Sequence, residues 1–190
     1  MRIGIDLDGV LRDFVSGVVQ AIAIHNPSLI HKVELPMLGY SFTQWLPFWT
    51  EKESDDYVFR SGDITEYIYT QAPPIATSIV DFNKIRKYLH DNGHELCLVS
   101  YQPTEEVMEY SKYWIDKHNL RFDDVYWSSG HDTKKDFDID WMIDDNNQVL
   151  YSVEDSGKKA IRFVTAYNMH ENYRHMKYEI NRLKEIRKII

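Results

Sequence analysis

The most constraining feature of this chain lies at its amino terminus. A short apolar run, Arg2-Ile-Gly-Ile, ends abruptly in Asp6-Leu-Asp8-Gly9, after which Phe14, Val18 and Ile22 recur at helical spacing. The pattern predicts a strand, an acidic turn and a helix. The same alternation resumes later. Ser78 is placed to cap a helix carrying Ile79, Phe82, Ile85 and Leu89 on one face, with Gly93 as its stop, and a strand follows over His94 to Val99. Thr104 is placed to cap a second helix with Val107, Tyr110 and Trp114 turned inward. Val125 to Trp127, Trp141 to Ile143 and Ala160 to Val164 read as further buried strands, and Tyr173, Met176, Ile180 and Leu183 as a closing amphipathic helix with a basic end at Lys184, Arg187 and Lys188. Helices alternating with short buried strands predict an α/β sandwich, a parallel sheet covered on both faces. The alternation breaks between about Asn26 and Pro74, where prolines and aromatics dominate and Pro73-Pro74 closes the stretch. Residues 26–74 are therefore expected to form an inserted lobe, and 1–25 with 75–190 the core domain.

Composition narrows the function classes. With 22 Lys+Arg against 30 Asp+Glu, the formal charge of −8 disfavours a grip on long nucleic acid. The longest uncharged apolar stretch, Phe14 to Ile24, is interrupted by Ser16, Gly17 and Gln20 and is too short to span a bilayer. Asp6, Asp8 and Asp13 occupy the flank that an export signal requires to be basic. The single cysteine, Cys97, allows no internal disulfide and lies inside an apolar run, and Asn26-Pro27-Ser28 is disqualified as a glycosylation site by its proline. A cytoplasmic protein without a membrane partner is expected.

Acidic pairs are common in a chain this rich in aspartate, so position has to separate signal from chance. Asp55-Asp56, Asp123-Asp124 and the Asp136-x-Asp138-x-Asp140 run are expected in solvated loops. Asp6 and Asp8 sit where the first apolar run ends, and Asp144-Asp145 follow the apolar Trp141-Met-Ile143. A parallel sheet would bring both pairs to one carboxyl edge, where ligands bind. Four carboxylates cannot remain ionised together without a counter-charge, which implies a hard divalent cation such as Mg²⁺. Ser100 ends the strand Leu96 to Val99 and offers a hydroxyl at the same edge. Lys134-Lys135 lies about ten residues before Asp144, placing a lysine to neutralise phosphate and hold the cluster together, with the spacing favouring Lys134.

The order Asp6-Leu-Asp8-Gly-Val10, Ser100, Lys134, Asp144-Asp145 resembles the four motifs of the haloacid dehalogenase-like phosphohydrolases. Within them, Asp6 to Phe14 together with Ile143-Asp-Asp145 resembles the 5′(3′)-deoxyribonucleotidase family. The resemblance implies a Rossmannoid three-layer core with a small, mostly helical cap inserted after the first strand and helix. It further implies a magnesium-dependent phosphomonoesterase acting on deoxyribonucleoside monophosphates. Asp6 would be the phosphoryl-accepting nucleophile and Asp8 the acid and base. Ser100 would hold a phosphate oxygen and Lys134 neutralise charge beside Asp6, with the metal on Asp6, the Asp8 carbonyl and Asp144-Asp145. Position 12, usually small there, is Arg12, which would either add a phosphate contact or face solvent. Ser100-Tyr101-Gln102-Pro103 departs from the usual Ser-Pro continuation of the second motif.

Nine aromatics crowd residues 40–69, from Tyr40 through Phe42, Trp45, Tyr57 and Phe59 to Tyr69. They serve either base stacking or the core of a small lobe. By the resemblance, Phe14 and the Phe48-Trp49-Thr50 segment would bind the nucleoside, and Tyr101, beside Ser100, is a further candidate contact. The expected partner is a small nucleoside monophosphate, and the oligomeric state, monomer or homodimer, stays open. Rival readings keep the chemistry on a sugar phosphate or polynucleotide end, or take the chain as a phospho-accepting signalling domain without turnover.

Overall fold

The structure, a computed structural model, describes residues 1–34, 41–169 and 176–190. Six strands form one parallel sheet: β1 (Arg2–Ile5), β2 (Glu95–Tyr101), β3 (Asp124–Ser128), β4 (Trp141–Asp144), β5 (Lys159–Phe163) and β6 (Glu179–Ile180), in the order β3-β2-β1-β4-β5-β6. The inner strands β1, β2, β4 and β5 are buried on both faces, which explains why they read as apolar runs, whereas the edge strand β3, expected to be buried, has Val125 exposed and Tyr126 and Trp127 half-buried because no strand covers its outer side. Alternate residues separate cleanly. Ile3, Ile5, Leu96, Leu98, Ile143 and Ile161 join one core, and Val99, Met142 and Ala160 join another on the opposite face. Helix α5 (Ser78–Asp91) covers the first face and α7 (Asn147–Asp155) the second.

Between β1 and α5 lie α1 (Phe14–His25), α2 (Phe42–Trp45), α3 (Glu51–Arg60) and α4 (Asp63–Gln71). They share a separate apolar cluster that includes Val18, Ile22, Trp45, Val58, Ile68 and Tyr69, and α6 (Glu105–Lys117) adds Val107 to it. Helix α1, placed with the core by the sequence pattern, thus buries its apolar face against the inserted helices.

Several local expectations are met. Thr104 caps α6 by accepting from Val107 N–H, and Gly93 takes a left-handed φ of 72° just past α5. Others are corrected. Ser78 is the first residue of α5, not its cap, and its hydroxyl instead donates to Leu11 O at 2.9 Å. Asp55 and Asp56 lie within α3 rather than in a loop. Asp124 and Asp138 are ion-paired to Arg2, and Asp140 accepts its backbone N–H, which pins the edge of the sheet remote from the strands' carboxyl ends. The closing helix does not form across Met176, Ile180 and Leu183. Ile180 is in β6, Leu183 opens a 3₁₀ turn ending at Lys188, and Tyr173 lies outside the described residues, as does Tyr40. The physical reason is visible in the packing: Met176 is buried in the core on one face of the sheet, Ile180 and Leu183 in the core on the other. A single helical stripe cannot face both. No helix among the described residues is long and apolar enough to cross a membrane.

Candidate active site

Strand order reverses around β1. The chain moves from β1 outward to β2 and β3, then returns across β1 to β4, and the crevice at such a switch point is where open α/β sheets bind ligands. Registry aligns the ends there: Ile5 is paired with both Leu98 and Ile143, and Asp6 N–H donates to Ile143 O at 2.9 Å. Asp6, Ser100 and Asp144 consequently emerge at one edge. Gly9 turns the chain away from it with φ of 76°, where a Cβ would collide with Asp145 and the Tyr167 hydroxyl. Both backbone angle and space demand glycine.

Lys134, only 1% exposed, reaches Asp6 Oδ2 at 2.8 Å and Asp144 Oδ2 at 2.9 Å, while Leu7 N–H donates to Asp6 Oδ1 at 2.8 Å. It is Lys134 and not Lys135 that enters the cluster, because the 3₁₀ turn His131–Asp136 turns its fourth residue inward. Asp144 has its other oxygen on Asn146 N–H at 2.8 Å, and Asp145 accepts from the Tyr167 hydroxyl. Asp6, Asp144 and Asp145 each offer a buried carboxylate oxygen within 4.8 Å of the others. One lysine against three carboxylates leaves the charge unbalanced. Burial, with Lys134 opposing and Asp144 adding, pushes Asp6 up to about 6, and burial followed by repulsion from Asp144 and Asp6 raises Asp145 well above the carboxylate range. Burial works against the charge on Lys134, but Asp144 and Asp6 outweigh it and raise its pKa. This oxygen-only set with surplus negative charge fits a hard divalent cation.

The Asp8 carboxylate stands apart from that trio. Arg12 holds it by two bonds, Nε to Oδ1 at 2.6 Å and Nη2 to Oδ2 at 2.8 Å, so Arg12 neither faces solvent nor is free for phosphate. Gln102 Nε2 donates to both Asp8 Oδ2 and Ser100 Oγ at 3.2 Å. Gln102, Tyr167 and Asn168, whose Nδ2 donates to Asp145 O at 2.8 Å, carry no motif signal; only their positions just past β2 and β5 mark them.

Of the candidate nucleoside contacts, Phe14, Phe48 and Trp49 pack against the apolar cluster of the inserted helices, while Thr50 and Tyr101 lie outside it. Phe14 borders a cavity of about 330 Å³ with Gly9, Ile75, Val164 and Tyr167. Phe48 and Trp49 lie in the helical cluster, their centroids 4.8 Å apart, with Trp49 4.5 Å from Tyr57. Thr50 caps α3 in a reciprocal box with Glu53. Tyr101 packs edge-on to His131 at 4.8 Å.

No protein-family profile and no curated protein matches the chain. Solved structures do. A haloacid dehalogenase-like hydrolase from Streptococcus pneumoniae superposes with a TM-score of 0.64 at 15% identity, over 99% of this chain and 97% of that one. The fold is haloacid dehalogenase-like. L-2-haloacid dehalogenase from Xanthobacter autotrophicus matches over the same shares, 99% and 97%, with a TM-score of 0.65 at 10% identity. The magnesium-bound hydrolase YfnB from Bacillus subtilis matches at 0.62 and 13%, again over 99% and 97%.

Proposed function

We propose that this protein is a magnesium-dependent phosphomonoesterase that dephosphorylates deoxyribonucleoside monophosphates through an aspartyl-phosphate on Asp6. The observation that carries this reading is the buried Lys134 joining Asp6 to Asp144 while the Asp8 carboxylate, two residues on, is directed separately by Arg12 and Gln102. Nucleophile and proton carrier are thus held by different partners, as two distinct roles require. An oxygen of Asp6 attacks phosphorus, the bond to the ester oxygen breaks, and Asp8 supplies the proton to the departing alcohol. Asp8 then takes a proton from water as that water attacks phosphorus, and the bond to Asp6 breaks to return its carboxylate. Ser100 Oγ accepts from Gln102, which leaves its own hydroxyl proton to donate to a phosphate oxygen. Asp6, Asp144 and Asp145, whose carboxylate oxygens converge, would hold the metal together with the Asp8 carbonyl. Bound there, magnesium would offset the charge of phosphate and carboxylates together.

The dehalogenase among the structural neighbours defines a second reading. A halide leaves without a proton, so a second carboxylate directed separately, Asp8 held by Arg12 and Gln102, favours the phosphate ester. Phosphate release from a panel of deoxy- and ribonucleoside monophosphates and sugar phosphates, with chloride release from 2-chloropropionate as the counter-assay, decides between them; chloride release alone overturns the phosphatase.

Two further outcomes are expected. Because the metal binds ionised carboxylates and Asp6 and Asp145 resist ionisation, the folded apo protein holds protons that the unfolded chain releases above about pH 4. This contribution to stability is present at low pH and is lost as pH rises through about 6. The rise in Tm on adding magnesium should therefore grow between pH 4 and 7, as calorimetry in chelator against magnesium would measure. A magnesium effect that is absent, or that shrinks with pH, removes the metal from this cluster. Phe14→Ala should lower kcat/KM for nucleotides about tenfold to a hundredfold, since stacking is worth about 1–3 kcal/mol, and spare p-nitrophenyl phosphate. Trp49→Ala, which opens the helical cluster, should affect both substrates alike.

A further inference from the structure

Arg12 and Arg162 are the largest charged side chains fully buried among the described residues, and Arg12 has no solvent exposure at all. Its guanidinium is used almost completely. Besides the two bonds to Asp8, Nη1 donates to Tyr69 O at 2.8 Å and Nη2 to Ser111 Oγ at 3.0 Å, so four of its five N–H groups are committed. The cation also lies 4.8 Å from the Tyr69 ring centre and 5.7 Å from that of Trp114. Those partners come from two separate places: Tyr69 from the last turn of α4, Ser111 and Trp114 from α6. Trp114 Nε1 in turn donates to Ala72 O at 2.7 Å, which fixes the chain just beyond Tyr69. The guanidinium therefore cannot swing without breaking contacts to both elements, and it offers no exposed face to a phosphate.

We propose that Arg12 is a positioning residue: anchored on the end of α4 and on α6, it fixes the Asp8 carboxylate in the orientation needed for proton transfer at the leaving oxygen. This rests on the phosphomonoesterase reading above. A planar fork held on two oxygens sets both direction and rotation of a carboxylate, which a single contact from a flexible lysine does not. The consequence is a dependence on the leaving group. An alkoxide needs its proton as the ester bond breaks, whereas p-nitrophenolate leaves with little help, so a misdirected Asp8 harms the alkyl ester far more.

The test compares kcat/KM, which reports the steps up to phosphoryl transfer, for β-glycerophosphate and p-nitrophenyl phosphate with magnesium present. Arg12→Met should lower the alkyl value about a hundredfold, within the range for loss of an acid-base group, and the aryl value less than tenfold. Arg12→Lys should fall between, and Arg12→Met combined with Asp8→Asn should be no slower than Asp8→Asn alone. Equal fractional losses on the two esters, or losses that multiply in the double variant, would show that Arg12 serves the fold only and overturn the proposal. If Arg12→Met does not melt as a folded protein, Arg12→Lys and Ser111→Ala take its place: a larger loss on the alkyl ester supports the positioning role, and equal losses overturn it. A wild-type protein that hydrolyses neither ester, nor any nucleotide, overturns the phosphomonoesterase reading instead.

Discussion

Asp6→Asn is expected to release no measurable phosphate from any monoester, a fall of about 10⁴-fold or more, because an amide cannot accept the phosphoryl group and return it to water. The same substitution should leave the fold intact. Leu7 N–H can still donate to the side-chain oxygen, Lys134 keeps Asp144, and one of three crowded negative charges is gone. In chelator the variant should melt no lower than wild type, since Asp6 is a group whose ionisation burial already opposes. Activity lost with Tm kept separates chemistry from folding. A variant that still turns over nucleotides at a rate near wild type, with unchanged melting, would transfer the nucleophilic role to another residue and undo the assignment built on the end of β1.

Much of this site was legible in sequence because its parts sit at strand ends. An apolar run that stops at a carboxylate announces both the strand and the residue at its tip, and a parallel sheet brings such tips together, so Asp6, Ser100 and Asp144 could be expected to meet before any contact was known. Lys134 was legible from its spacing to Asp144, and it reaches the same edge because its short turn directly follows the carboxyl end of β3. The parts that were not legible depend on contacts between segments far apart in the chain. Arg12 stands four residues after Asp8, a spacing that suggests an ion pair on a helix, but these residues precede α1 and their pairing depends on Tyr69 and Ser111. Tyr167 and Asn168 belong to a loop after β5 with no pattern of its own, and they reach Asp145 only because β5 neighbours β4. The aromatics of the inserted segment are ambiguous for a different reason: base stacking and lobe packing both call for flat, large side chains, and composition cannot tell that Phe14 and Trp49 are both half-buried against one cluster while Phe14 alone of the two also borders a cavity. Ile180 and Leu183 likewise fit a helix by spacing, because apolar residues three or four apart also arise where a two-residue strand runs into a 3₁₀ turn.

Lys134→Met is expected to damage stability and activity together. The side chain is buried between Asp6 and Asp144, and no other ion pair to either carboxylate occurs among the described residues. Removing one partner of a buried ionic set leaves the others uncompensated and costs about 3–5 kcal/mol. For a domain of this size, each kcal/mol moves Tm by about 2–4 °C, so a drop of roughly 6–20 °C should appear by calorimetry in the absence of metal. Magnesium should restore part of the stability, because a divalent cation opposes the same repulsion, but not the rate. Without the ammonium, Asp6 Oδ2 loses the contact that holds it still, and the charge building on the phosphate loses a donor. Lys135→Met is the control: its side chain lies outside the carboxylate cluster, and its backbone carbonyl, which accepts from Lys158, is unaffected by the change. If Lys134→Met and Lys135→Met melt alike, the buried bridge across the β1–β4 crevice contributes nothing to the fold, and the electrostatic account of the site fails with it.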